Sequence, residues 1–303
     1  MRGLLIFSLL LPGLVGANDA ESIIRKAVPY LESNGVMWMQ ERKCVSCHQI
    51  TSMLWGLNET AQTEIGFDRK KLEEWRKWAA EKMAAMEKDP KKKPPVDNIV
   101  KLMAGNYASK EFSEFANWTT KQTTNDHWKA GGQLPRQKRP ARETDEVTTM
   151  WAIFALTPVS KEDKKLKATI RKARAWVTEG KPAVSTEWRV VSALTSRGKK
   201  QRSQRIKQLL DWQNDDGGWG WIGGKVSDAL ATGLALYGLA QSGISDTEAA
   251  VERARGYLAG SQREDGSWKV PSTKTANKGE PNPISNYWGT AWAVIGLASA
   301  LDR

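Results

Sequence analysis

The sequence of 303 residues contains 46 Lys and Arg against 34 Asp and Glu, and its formal net charge is +12. Hydrophobic residues make up 40% and charged residues 26%, a balance that excludes a disordered or collagen-like chain. Two cysteines exclude a disulfide-dense scaffold, so a hydrophobic core must provide the stability. The 15 tryptophans outnumber the 5 Phe and 5 Tyr together, which indicates a repeated aromatic motif.

The N-terminus has the pattern of an export signal. Arg2 gives a basic start, residues 4–15 are largely apolar, and Ala17 completes a small-residue cleavage site. The apolar stretch is too short to span a bilayer. We therefore expect residues 1–17 to be a signal peptide. Residues 18–303 are then one mature domain, exported to the periplasm or the extracellular space.

Residues 44–48 have the sequence Cys-Val-Ser-Cys-His, which is the spacing of c-type haem attachment. In that chemistry the thiols of Cys44 and Cys47 add to the two vinyl groups of haem c, and the imidazole of His48 binds the iron as the proximal ligand. Such haems are attached after export, which agrees with the signal peptide. The alternatives are a redox or structural disulfide between the two cysteines, or a zinc site.

The distal iron ligand has several candidates. His127 is the first, because it lies in a loop predicted to share a rim with residues 44–48. A capping or surface role for His127, a methionine ligand and five-coordinate iron are the alternatives, and methionines are more often core residues than ligands. The methionines considered are Met37, Met39, Met83, Met103 and Met150.

Positive charge is concentrated in residues 161–210, which hold 15 Lys and Arg against 4 Asp and Glu. Nucleic acid is not expected as a partner of an exported chain. The functional interpretation is contact with an anionic membrane surface or envelope polymer. The alternative is a solvated outer face of helices.

Three segments share one spacing. Residues 213–219 and 262–268 both follow the pattern Gln-x-x-Asp-Gly-x-Trp, and residues 122–128 keep the Gln and the Trp. Asp-Gly favours a tight turn with positive φ, the Gln amide can bond backbone groups at a helix end, and the Trp offers a large apolar face. We expect each segment, here called a linchpin, to fasten an outer helix to the inner helix that follows. Gln40 and Cys44 occupy the Gln and Gly positions of an earlier copy without the Trp.

Charged amphipathic segments alternate with more apolar ones along the chain, and no period-2 strand pattern competes. This alternation predicts an all-α protein with about six pairs of outer and inner helices in a double ring. The predicted pairs are residues 23–33 with 52–63, 69–88 with 97–107, 110–121 with 146–156, 161–178 with 186–196, 203–212 with 227–241, and 248–261 with 286–301.

The linchpin repeats resemble those of the squalene–hopene cyclase and prenyltransferase superfamily. The resemblance is most specific over residues 200–303. It implies a single α/α toroid around a central cavity, and an isoprenoid or other lipid as a possible class of ligand.

The catalytic groups of that superfamily are not matched. Its protonating cyclases use Asp-x-Asp-Asp-Thr, whereas residues 145–149 have Val147 at the position of the proton donor. Its prenyltransferases hold zinc with an Asp, a Cys and a His from separate repeats, whereas both cysteines here lie in one segment. An unrecognised lyase or cyclase would have to use Asp145, Glu146 or Asp228 as its acid.

The leading hypothesis is an exported haem c protein on a cyclase-like toroid, acting in electron transfer or haem redox chemistry with a redox partner protein. One alternative is an isoprenoid- or lipid-binding toroid with a structural or redox-active pair of cysteines. The other is a terpenoid cyclase-like lyase or isomerase. The sequence does not decide whether the protein is an enzyme.

Overall fold

The computed structural model describes residues 17–46, 48–89, 93–105, 112–132, 134–178, 183–243 and 248–301. Within these ranges the chain forms twelve α-helices and isolated β-bridges but no β-strand. None of the helices described there is both long enough and apolar enough to cross a membrane. The predicted all-α class is confirmed. The predicted signal peptide, residues 1–17, lies almost wholly outside the described residues.

Outer and inner helices alternate along the chain, as predicted. The outer helices are α1 (Ala17–Glu41), α3 (Arg69–Lys88), α5 (Phe112–Lys121), α7 (Lys164–Thr178), α9 (Gly198–Leu210) and α11 (Glu248–Ser261). The inner helices are α2 (Ile50–Thr60), α4 (Val96–Ala104), α6 (Ala141–Leu156), α8 (Thr186–Leu194), α10 (Ala229–Ser242) and α12 (Pro283–Ser299). Each inner helix packs on the next one and α12 packs on α2, so the ring is closed.

The two layers differ in burial as their composition requires. Every residue of α2 and α4 is buried, whereas α9 buries only Ile206 and Leu209. A helix that is apolar all round must be enclosed, and a charged helix with a narrow apolar stripe lies at the surface. The α/α toroid architecture is therefore confirmed.

The linchpins fasten each tryptophan to the preceding outer helix. In all three, the indole Nε1 donates to a main-chain carbonyl oxygen of that helix, so the buried N–H is satisfied. The pairs are Trp128 with Thr119 at 2.7 Å, Trp219 with Leu209 at 2.8 Å, and Trp268 with Leu258 at 3.0 Å.

The glutamine of a complete linchpin reaches the next outer helix. Gln213 Nε2 donates to the carbonyl oxygen of Ala250 at 2.8 Å, and Gln262 Nε2 donates to that of Ile23 at 3.0 Å. The second bond joins the end of α11 to α1 and helps to close the ring. Gly266 has a φ of 82°, as predicted for the Asp-Gly turn.

The centre of the ring is filled by aromatic side chains. Trp55, Trp151, Tyr237 and Trp292 come from four inner helices and are almost completely buried. The ring centroid of Trp55 lies 5.6 Å from that of Trp151 and 5.2 Å from those of Tyr237 and Trp292. Such spacing is direct aromatic packing. The open apolar cavity that the cyclase resemblance implied is therefore not found at this position.

Small residues let two inner helices touch. A Cβ atom placed on Gly233 would lie 2.2 Å from the carbonyl oxygen of Trp292, and one on Gly296 would lie 2.3 Å from that of Gly233. These glycines are required by the contact between α10 and α12, because any side chain would force the backbones apart.

Candidate functional site

The acids at the starts of the inner helices brace the linchpins. Asp145 accepts a hydrogen bond from the backbone N–H of Ala130 at 2.8 Å, and Asp228 accepts one from that of Trp221 at 2.8 Å. Near the start of α12, Asn286 accepts the equivalent hydrogen bond from the backbone N–H of Val270 at 2.8 Å. Asp145 and Asp228 are thus engaged in holding the fold. Glu146, the third acid considered, accepts from Arg142 and from Trp188 Nε1.

A threonine four residues further along each of these helices completes the brace. Its hydroxyl oxygen accepts a hydrogen bond from the backbone N–H of the linchpin tryptophan. The pairs are Trp128 with Thr149 at 3.1 Å, Trp219 with Thr232 at 3.0 Å, and Trp268 with Thr290 at 3.2 Å.

A cavity of about 840 Å³ lies at the end of the ring where α4 and α12 begin, and we call it the rim cavity. Four stretches of chain line it: the segment before α2, the start of α4, residues 131–137, and residues 272–288. Its polar, charged and aromatic lining side chains include His48, Asp97, Asn98, Gln137, Lys274, Lys278 and Trp288.

Asp97 is the buried carboxyl of this lining, with a relative exposure of 2%. Thr148 Oγ1 donates to its Oδ1 at 2.6 Å, and the backbone N–H of Gly131 donates to its Oδ2 at 3.1 Å. Burial raises the pKa of Asp97, and these hydrogen bonds together with Lys101 only partly offset that effect. A carboxyl in this setting is suited to donating a proton.

A buried ionic network adjoins Asp97. Glu187 Oε2 accepts from Arg139 at 2.9 Å, its Oε1 accepts from Trp151 Nε1 at 2.9 Å, and Lys101 Nζ lies 3.8 Å away. Burial alone would raise the pKa of Glu187, but the charges of Arg139 and Lys101 outweigh it and lower the pKa. The pKa of Asp97 is therefore shifted upwards and that of Glu187 downwards.

The rim cavity has an aromatic face and charged side chains. Lys101 Nζ lies 5.2 Å from the ring centroid of Trp288. Lys274 and Lys278 line the cavity, as does the exposed carboxylate of Glu280. Burial, followed by the charges of Lys274 and Lys101, lowers the pKa of His48 to about 4. The imidazole is therefore neutral at pH 7.

The predicted haem residues are placed as follows. Cys44 is exposed, His48 lines the rim cavity with its ring centroid 5.9 Å from that of Trp38, and Cys47 lies outside the described residues. His127 is stacked on Trp176 with the centroids 4.0 Å apart. It is not among the described residues that line the rim cavity, so His48 and His127 do not share it.

His127 also has a polar partner in this position. Its Nδ1 lies 3.1 Å from the carbonyl oxygen of Asn125, within the turn of the linchpin at residues 122–128. Among the described residues, no group of three or more His, Cys, Asp and Glu side chains could hold a metal ion. Haem attachment at Cys44 and Cys47, and iron binding by His48 or His127, stay predictions.

Sequence reasoning did not single out Asp97, Lys101, Arg139 or Glu187. One signal pointed to Asp97: it stands at the start of an inner helix, where Asp145 and Asp228 also stand. The other three are scattered along the chain and come together only because the ring brings α4, α8 and the segment before α6 side by side.

No protein-family profile matches the sequence. The drimenyl diphosphate synthase of Streptomyces showdoensis is 30% identical over 105 residues. That region is 32% of this chain and 19% of the synthase, so the chain spans about a fifth of the length of this relative.

Solved structures match the chain over almost all of its length. A possible member of the GH105 family from Salmonella enterica has a TM-score of 0.64 and 12% identity, with 99% of both chains covered. The unsaturated glucuronyl hydrolase of Streptococcus agalactiae has a TM-score of 0.61 and 12% identity, covering 100% of this chain and 98% of that one. At these identities the similarity shows the α/α toroid fold.

The prediction of haem-based electron transfer is wrong. One unsaturated glucuronyl hydrolase shares this fold over the whole chain and another shares it over 84% of the chain, and Val45, Ser46 and His48 line the rim cavity. The isoprenoid and cyclase alternatives do not match either. The rings of Trp55 and its neighbours fill the centre, while Asp145 and Asp228 brace linchpins.

Proposed function

We propose that the protein is a hydrolase of a saccharide that carries a uronate group, with Asp97 as the general acid. The observation that carries this proposal is the buried Asp97 carboxyl in the lining of the rim cavity, where burial raises its pKa. The toroids with the same fold that are named unsaturated glucuronyl hydrolases support the choice of substrate class.

The lining of the rim cavity suits a charged sugar. The apolar face of a sugar ring packs on an indole such as that of Trp288. Side-chain amides such as those of Asn98 and Gln137 can exchange hydrogen bonds with hydroxyl groups. Lys274 and Lys278 supply positive charge for a carboxylate.

Asp97 would donate its proton to the leaving-group oxygen as the glycosidic bond breaks. Water then adds its hydroxyl to the sugar carbon, and its remaining proton returns to Asp97, so no other reactant is needed. Glu187, whose pKa is lowered, holds Lys101 and Arg139 in ion pairs, and Lys101 in turn acts on Asp97. A proton donor with a raised pKa beside a fixed charge network is a common device for general acid catalysis at neutral pH.

We further propose that the linchpins reflect kinship with the cyclase and prenyltransferase superfamily, supported by the repeat pattern and the partial match to the drimenyl diphosphate synthase. The signal-like residues 1–17 support the proposal that the enzyme acts outside the cytoplasm, where uronate polymers are accessible.

The test compares Asp97→Asn with Asp145→Asn on unsaturated glucuronyl disaccharides, following the reducing ends released as the glycosidic bond breaks. Asp97→Asn should lower kcat by about 10²- to 10⁴-fold, the usual contribution of a general acid, with a small change in KM. Asp145→Asn should keep kcat within about threefold, because the equivalent residue near the start of α12, Asn286, is already an asparagine.

A second substrate pair tests the uronate requirement. Lys274→Gln should raise KM for the uronate substrate and leave KM for a neutral glycoside unchanged. Absence of turnover of every uronate-bearing substrate by the wild type, or equal kcat in Asp97→Asn and wild type, would refute the proposal.

A further inference from the structure

A second cavity, of about 520 Å³, lies between the outer helices α7 and α9 and over the inner helices α6 and α8. None of the described residues lines both this cavity and the rim cavity. Its apolar side is formed by Met150, Ile153, Ala175, Val177 and Trp188. We call it the arginine cavity, because four arginines are among its lining residues.

Three of the four arginines belong to the outer helices α7 and α9, and the fourth lies in the connection between α8 and α9. Arg171 and Arg174 belong to α7, Arg197 immediately precedes α9, and Arg205 belongs to α9. No Asp or Glu is among the described lining residues. Four like charges around one recess repel each other, and an anion between them would remove that cost.

Two of the guanidinium groups are held in place by the fold. Arg174 donates to the carbonyl oxygen of Thr195, and burial followed by the charge of Arg197 lowers its pKa. Arg205 lies 5.3 Å from the ring centroid of Trp188 and donates to Gln208 Oε1 at 3.3 Å. Both remain cationic, since arginine keeps its proton in proteins. Their positions are set before any ligand binds.

We propose that the arginine cavity binds an organic phosphate or sulfate ester. The planar guanidinium fork matches the oxygens of a phosphate or sulfate, and its hydrogen bonds to such anions are charge-assisted. The apolar side formed by Met150, Ile153 and Trp188 would contact the organic part. The site is separate from the rim cavity and goes beyond the hydrolase function proposed for it.

The arginine cavity is a recess in the surface. This distinguishes it from the positive charge spread over the exposed side chains of residues 161–210. Lys164 and Lys167 lie on the same helix as Arg171 but are exposed and do not line the cavity. Removing them changes the net charge as much as removing two arginines does. They therefore provide a matched control.

Calorimetric titration at low ionic strength would measure the Kd of phenyl phosphate, phenyl sulfate, inorganic phosphate and inorganic sulfate. The wild type should bind the phenyl esters more tightly than the inorganic ions, because the ring contacts the apolar side. Arg171→Gln/Arg205→Gln should weaken ester binding by about tenfold or more. Lys164→Gln/Lys167→Gln should weaken it by less than about twofold.

Equal weakening in the two double variants would overturn the proposal, because it would show a diffuse charge effect. Absence of binding in the wild type would overturn it as well. So would binding to phosphatidylglycerol vesicles alone, which would make the surface a membrane contact. Asp97→Asn should bind the esters as the wild type does, so this result is independent of whether the rim cavity is a hydrolase site.

Discussion

The last two junctions of the ring and the first one connect the same kinds of helices in different ways. Before α10 and α12, complete linchpins engage their polar groups in hydrogen bonds to neighbouring helices. Before α2, the linchpin tryptophan is missing, and Val45, Ser46 and His48 line the rim cavity. In one region of the toroid the polar side chains of the junction join neighbouring helices, and in the other three side chains of the junction line a cavity.

The backbone of the first junction is nevertheless held in place by hydrogen bonds. Trp38 Nε1 donates to the carbonyl oxygen of Cys44 at 3.1 Å, and Asn98 Nδ2 donates to that of Val45 at 2.7 Å. Both bonds use the backbone of the segment and come from α1 and α4. The side chains of the segment are therefore not needed for these contacts.

The largest expected effect separates the two kinds of junction directly. Trp268→Ala should lower the free energy of unfolding by about 3–5 kcal/mol, because it removes a fully buried indole and leaves a cavity. Trp38→Ala at the first junction should cost about 1–2 kcal/mol, since that indole is only partly buried. Urea unfolding measures both. Equal losses would mean that the first junction is as tightly fastened as the last.

The contact between α10 and α12 gives a second test of the tightly packed region. Gly233→Ala should cost about 3 kcal/mol, because its Cβ would overlap the backbone of Trp292. Gly260→Ala is the matched control in the outer helix α11. Its Cβ would meet no atom within 4 Å, so the change should stabilise the protein by up to about 1 kcal/mol. A neutral Gly233→Ala in urea unfolding would contradict the close approach of the two helices.

The fold could be predicted because its signals are local. The helix over residues 69–88 and that over residues 248–261 follow from charge and apolar periodicity and match α3 and α11 at both ends. The helix predicted over residues 23–33 is much longer in the structure, where α1 continues through Pro29 to Glu41. Tertiary packing on α2 and α12 sustains it, and local propensity does not report such packing.

The candidate site could be predicted only in part. The motif at residues 44–48 drew attention to the region that forms one side of the rim cavity. Asp97 and Glu187 could not be paired from the sequence, because they are 90 positions apart and meet through the closure of the ring. The filled centre was also not predictable, since helical periodicity does not show that the indoles of Trp55, Trp151 and Trp292 meet one another.

The smallest expected effect tests whether the side chains that brace the two complete linchpins, Asp228 and Asn286, differ in charge. Burial raises the pKa of Asp228 to about 6, whereas a free Asp has a pKa of about 3.9. The folded state therefore keeps a proton that the unfolded state loses between these values. The stability that this group contributes is present below about pH 4 and is lost as the pH rises through 6.

Asn286 braces the last junction without a charge. Asp228→Asn should therefore gain about 2 kcal/mol relative to wild type between pH 4 and pH 7, measured by urea unfolding at each pH. The reciprocal variant Asn286→Asp should lose stability over the same pH range, because it places a carboxyl in a buried brace that has none. If the difference between Asp228→Asn and wild type does not change with pH, then Asp228 is ionised at no cost, and the two braces are electrostatically equivalent despite their different residues.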